Sequence, residues 1–98
     1  MSRQDLLFSA ITNNSFEVVE HILTEDISLL ESRDDSYFLN REGTTFQKKA
    51  GFTPLLLAAS LARKEIENYL LFKGADTTAE LQDKSGRDYK YFTNMRNG

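Results

Sequence analysis

The sequence predicts an all-α stack of helix-turn-helix units interrupted by one extended β-hairpin finger, and three observations predict it. The first is internal repetition, the signature of folds that bury their core by stacking like units. Leu6-Leu7-Phe8-Ser9-Ala10, a polar break at Thr12-Asn13-Asn14-Ser15, and then Glu17-Val18-Val19-Glu20-His21-Ile22-Leu23 form one unit. Leu55-Leu56-Leu57-Ala58-Ala59, a break at Leu61-Ala62-Arg63-Lys64, and then Glu65-Ile66-Glu67-Asn68-Tyr69-Leu70-Leu71 repeat its layout. The second observation is punctuation suited to helices: Thr53 before Pro54, and Gly74 after Phe72-Lys73. The third is the stretch 36–50, which separates the two units and reads as strand, turn, strand.

Each element has a local cause. In the first unit, two short helices flank a turn in which asparagine tolerates left-handed geometry. Its second helix is expected to bury a stripe containing Val18 and Ile22, and Glu25 to Asp35 form the exit. In 36–50, Ser36-Tyr37-Phe38-Leu39 and Thr44-Thr45-Phe46-Gln47 are rich in aromatic and β-branched residues and flank Asn40-Arg41-Glu42-Gly43, a suitable turn. Lys48-Lys49 rejoin the second unit. There Thr53 caps the helix, and Pro54 occupies a position where a missing N–H costs nothing. Ala58 and Ala59 let neighbouring helices approach, and Ile66, Tyr69 and Leu70 recur at helical spacing. Asp88 to Asn94 is the last helix, with Tyr89, Tyr91 and Phe92 expected to cap the core.

Composition narrows the function classes. Apolar residues at 40% and charged residues at 28% belong to a folded globular chain rather than a disordered one. There is no cysteine, hence no disulfide framework, thiolate metal site or cysteine nucleophile, and an intracellular, cytoplasmic setting is expected. No apolar run approaches the ~20 residues of a membrane span, and Met1-Ser2-Arg3-Gln4-Asp5 does not open a signal peptide. A net charge of −3 argues against a nucleic-acid partner. Residues 1–49 carry 5 basic against 9 acidic side chains and residues 50–98 carry 7 against 6, a mild asymmetry.

Gly51-Phe52-Thr53-Pro54-Leu55-Leu56-Leu57-Ala58-Ala59, then Glu65-Ile66 and Tyr69-Leu70-Leu71-Phe72-Lys73-Gly74-Ala75-Asp76, closely resembles the ankyrin repeat. The first unit resembles an N-terminal capping repeat and the tail the start of a third. The resemblance implies one domain over 1–98, with repeat 1 at about 3–35, the hairpin insert at 36–50, repeat 2 at about 51–83 and a partial repeat at 84–98. Three positions depart from the pattern. Leu56 stands where the family has histidine, Ala62 where it favours glycine, and Asp88-Tyr89 where it has threonine-proline.

No catalytic, cofactor or metal residues are expected. His21 is the single histidine, with no cysteine or second histidine to complete a nucleophilic or metal constellation. Glu25/Asp26 and Asp34/Asp35 lack the alternating oxygen spacing of a calcium loop. What remains is surface for a protein partner. Tyr37, Phe38, Leu39, Phe46 and Phe52, framed by Arg41, Lys48 and Lys49, cannot all face inward from a two-stranded hairpin. Ser60 and Leu61 lie, by the resemblance, along the groove that ankyrin proteins use. The expected function is therefore protein–protein recognition as an adaptor. The rival is an accessory subunit built permanently into a large assembly, because two and a half units lie near the minimum for an independent stack and such a chain depends on its partner for stability.

Overall fold

The computed structural model describes residues 2–34, 37–39, 45–49, 51–82 and 86–97. Helices α1 (Arg3–Thr12) and α2 (Phe16–Glu25) are followed by a 3-10 turn at Ile27–Glu31. Strands β1 (Tyr37–Leu39) and β2 (Thr45–Lys49) come next, then α3 (Pro54–Ser60), α4 (Lys64–Phe72) and α5 (Tyr89–Asn97). Helices α1, α3 and α5 lie side by side in one layer, while α2 packs on α1 and α4 on α3 in a second layer, where α2 and α4 also meet. The strands pair antiparallel, Tyr37 opposite Lys49 and Leu39 opposite Thr45, with a register shift between the two pairs. The expected turn at Asn40-Arg41-Glu42-Gly43 lies outside the described residues.

Repetition extends to the backbone. Asn14 and Ala62 both turn left-handed at φ +57° between the two helices of their units. Around them the same bonds recur: the N–H groups of Asn14 and Ser15 donate to Ile11 and Ala10, and those of Ala62 and Arg63 donate to Ala59 and Ala58. Alanine thus adopts here a conformation costing roughly 1–2 kcal/mol that the family's glycine would adopt freely. At Gly74, φ of +92° needs glycine directly, as its place after α4 foretells. The capping expectation holds at atomic level, with Thr53 Oγ1 accepting the Leu56 N–H at 3.2 Å. Asp88 does the same for α5, accepting the Tyr91 N–H at 2.9 Å, so α5 begins at Tyr89 and runs three residues beyond the expected end at Asn94.

The core has two parts. The larger joins Leu7, Ala10 and Ile11 of α1 to Val19, Ile22 and Leu23 of α2 and to Leu55, Ala58, Ile66 and Leu70 of the second unit. The smaller consists of Leu56, Ala59, Leu81 and Phe92, with Phe52 and Tyr89 packed at its edge, and attaches α5. Two expectations are corrected here. Val18 is 45% exposed, and the buried stripe of α2 is Val19, Ile22 and Leu23. The reason is that Phe16 packs edge-on against Tyr69 of α4, centroids 5.5 Å apart, which rotates the helix so that Val18 turns away. Tyr91 does not cap the core either, since Phe92 fills that position and leaves Tyr91 43% exposed.

Long-range polar contacts fasten one unit to the next. Arg33 Nη1 donates to the carbonyls of Gly51 at 2.8 Å and Glu80 at 2.5 Å, and Gln4 Nε2 donates to the carbonyl of Arg33. Glu67, 4% exposed on α4, accepts the Tyr89 hydroxyl at 2.6 Å and so ties α4 to α5. On the outside, Asp76 accepts from the Thr78 hydroxyl and backbone N–H, which together hold its carboxyl below the usual carboxylate range, with Arg33 adding to the effect. Arg63 Nη2 and Nε reach back to the carbonyls of Thr12 at 2.6 Å and Ile11 at 3.3 Å, engaging the Thr12 acceptor at the end of α1 and adding a second donor to the Ile11 carbonyl that Asn14 already bonds. Arg63→Ala is expected to cost about 1–3 kcal/mol, because the bonds involve a charged donor and are partly shielded. Urea unfolding checks this. Arg63→Lys should recover only part of the loss, since an ammonium cannot reproduce the forked geometry.

Candidate protein-binding surface

The surface is built on the α1–α3–α5 layer and on the strand pair that leads into α3. Capping by Thr53 and closure at the Ala62 turn fix α3 between its neighbours, where Leu55, Leu56, Ala58 and Ala59 are buried and Leu57 is partly buried. Its C-terminal end also reaches solvent. Ser60 is partly buried, and its hydroxyl donates to the carbonyl of Leu57 at 2.8 Å. Leu61, the C-terminal cap of α3, is 37% exposed. Phe52 is half-buried, its ring centroid 6.1 Å from that of Phe92, so it stands at the edge of the second core with part of its surface outside.

Of the expected hairpin contacts, the backbones of Tyr37, Phe38 and Leu39 run in β1 and those of Phe46, Lys48 and Lys49 in β2. Arg41 lies outside the described residues. The structure therefore brings Phe52, Ser60 and Leu61 onto or beside α3, and places the strand pair immediately before them in the chain.

One feature of this surface escaped the sequence reading. Asp5, Phe8, Ser9 and Thr12 of α1, with Asp34 in the segment leading to β1, line an open groove of about 340 Å³. The signal was available, since positions 5, 9 and 12 are polar at helical spacing on the side of α1 opposite its buried leucine and isoleucine. The Asp34 N–H donates to the Phe52 carbonyl at 2.8 Å, so the wall of this groove is anchored to the entry of α3.

Titratable groups do not converge on a reactive centre among the described residues. His21 is largely exposed and lies 3.2 Å from Glu25 Oε1, and Glu25 also meets Arg3 at 3.4 Å. Among the described residues no group of three histidine or acidic side chains is arranged to hold a metal ion. None of their helices is long and apolar enough to cross a membrane.

Comparison with known families agrees with the geometry. The family model described as the ankyrin repeat matches residues 50–83, the span that contains α3, α4, the Thr53-Pro54 cap and the Gly74 stop. No curated protein and no solved structure matches the chain. Residues 50–83, about a third of the chain, are thus similar to an ankyrin repeat.

Proposed function

We propose that this chain is an adaptor that recognises a protein partner through the groove of its first-helix layer and the strand pair beside it. Ankyrin repeats in general mediate protein–protein interactions and form a non-enzymatic module. The observation that carries the reading here is the side-by-side array α1–α3–α5 with paired strands entering α3. Its contact residues are Tyr37, Phe38, Leu39, Arg41, Phe46, Lys48 and Lys49 on the hairpin finger, and Phe52, Ser60 and Leu61 on the helical side. Aromatic groups and arginine give large contact area at modest entropic cost, which is why a few of them carry most of an interface. In this reading the chain is one domain, with the finger at 36–50 inserted between a first repeat at about 3–35 and a second at about 51–83, and a partial repeat at 84–98 closing the stack.

The test is to replace residues 36–50 by a short Gly-Ser connection. Shortening a surface loop changes closure entropy by only about 1 kcal/mol, so thermal unfolding followed by circular dichroism should remain cooperative. Capture of partners from the native source should fall steeply. A variant that folds and still captures every partner refutes the role given to the finger. One that unfolds shows that the finger covers the core instead. Size-exclusion of the isolated wild-type chain completes the test: a cooperative monomer fits an adaptor, and aggregation fits the permanent subunit of a larger assembly.

A further inference from the structure

We propose that the outward side of α5 is a second docking surface, separate from the groove, and that it receives an acidic amphipathic helix of a partner protein. In the two complete units the first helix is covered by a second, α1 by α2 and α3 by α4. Among the described residues no helix covers α5 in this way. It is attached to the body through Phe92 and through the bond from Tyr89 to Glu67, and its other side is left to solvent.

That side has the makings of a helix-binding strip. Tyr91 and Met95, 43% and 55% exposed, are four residues apart and so share one face. The Arg87 guanidinium stands over the Tyr91 ring, 5.5 Å from its centroid, and holds that ring in place while presenting positive charge beside it. Tyr91 also meets Phe92 edge-on, their ring centroids 5.3 Å apart. The open groove walled by Tyr89, Lys90 and Thr93 lies on the other flank of α5, so the strip itself is the ridge of Tyr91 and Met95 with Arg87 at its start. An exposed apolar pair at helical spacing, with a guanidinium beside it, fits the apolar stripe of an approaching helix.

Charge selects the partner. Residues 84–98 hold four basic side chains against one acidic, in a chain whose net charge is −3. The one acid, Asp88, is engaged as the cap of α5. A helix with glutamates flanking its apolar stripe would meet Arg87 and Lys90 at the rim, where charge governs specificity and encounter rate. A nucleic acid is the weaker fit. Residues 2–34 set seven acidic side chains against two basic ones, which repel a phosphate backbone, and the thioether of Met95 has no role in phosphate binding.

The experiment uses the full chain and a synthetic helix with a leucine stripe flanked by glutamate, labelled for fluorescence anisotropy. A counterpart with lysine for glutamate and a single-stranded oligonucleotide serve as the other probes. The acidic helix should bind, with amide shifts confined to Arg87 and α5. Arg87→Ala/Lys90→Ala and Tyr91→Ala/Met95→Ala should each weaken it about tenfold or more. Absence of binding, equal binding of the lysine counterpart, tighter binding of the oligonucleotide, or shifts that fall on α1 and α3 would each overturn the proposal. Should either double variant unfold, the wild-type shift map decides alone. The variant lacking residues 36–50 should bind the acidic helix normally, which keeps this surface distinguishable from the groove.

Discussion

Leu56→Ala is expected to lower the unfolding free energy by about 2–5 kcal/mol, the range for a leucine deleted from a close-packed core. Leu56 is 1% exposed, and its companions Ala59, Leu81 and Phe92 form a cluster too small to collapse around the missing side chain. The loss should also be uneven. Because this cluster attaches α5 while the larger cluster holds α1 to α4 together, amide protection should fall first in α5 and the 80–82 segment. Hydrogen exchange read by NMR distinguishes that pattern from general loosening. A cost under about 1 kcal/mol, or protection lost first in α1 and α2, would mean that Leu56 does not support the junction.

Leu56 also explains one departure from the repeat pattern. A leucine in place of the family's histidine supplies apolar volume where the second core begins, and Phe92 of the following unit packs into the same cluster. The departure at Asp88 has an equally local reason. Its carboxylate caps α5 as the hydroxyl of Thr53 caps α3, so the N-terminus is satisfied without the threonine-proline pair.

Features set by a few neighbouring residues were legible in the sequence. The Thr53-Pro54 start, the small pair Ala58 and Ala59 and the stop at Gly74 each depend on chemistry within four or five positions. What could not be read depends on contacts far along the chain. Whether Val18 or Val19 faces inward is decided by Phe16 meeting Tyr69, residues more than 50 positions apart, and no periodicity in a ten-residue helix separates the two choices. The arginines were opaque for the same reason. Arg63 serves the end of α1 and Arg33 the entries of two later units, yet in sequence both are ordinary surface charges. At the candidate surface, Leu61 could be placed at the exposed end of α3 from the repeat layout. The groove beside Asp5, Ser9 and Thr12 required knowing that Asp34 returns to its side.

Ala59→Leu is expected to destabilise by about 1–3 kcal/mol, by overfilling rather than by emptying the same junction. Ala59 is fully buried one turn along α3 from Leu56, and both side chains point into the cluster with Leu81 and Phe92. Three extra carbons there must displace Phe92 or push α5 outward, since the backbone of α3 is fixed by its cap and by the Ala62 turn. The two variants therefore fail in opposite ways, and they should compensate. Leu56→Ala/Ala59→Leu restores the total volume of the cluster, and volume-conserving exchanges cost far less than the changes that compose them. Residues in contact are where additivity breaks down, so the double variant should recover about 1–3 kcal/mol relative to the sum of the single losses. Guanidinium unfolding of the four proteins closes the cycle. Strict additivity would show that Leu56 and Ala59 pack against separate neighbours, and would remove the small cluster as the element that attaches α5.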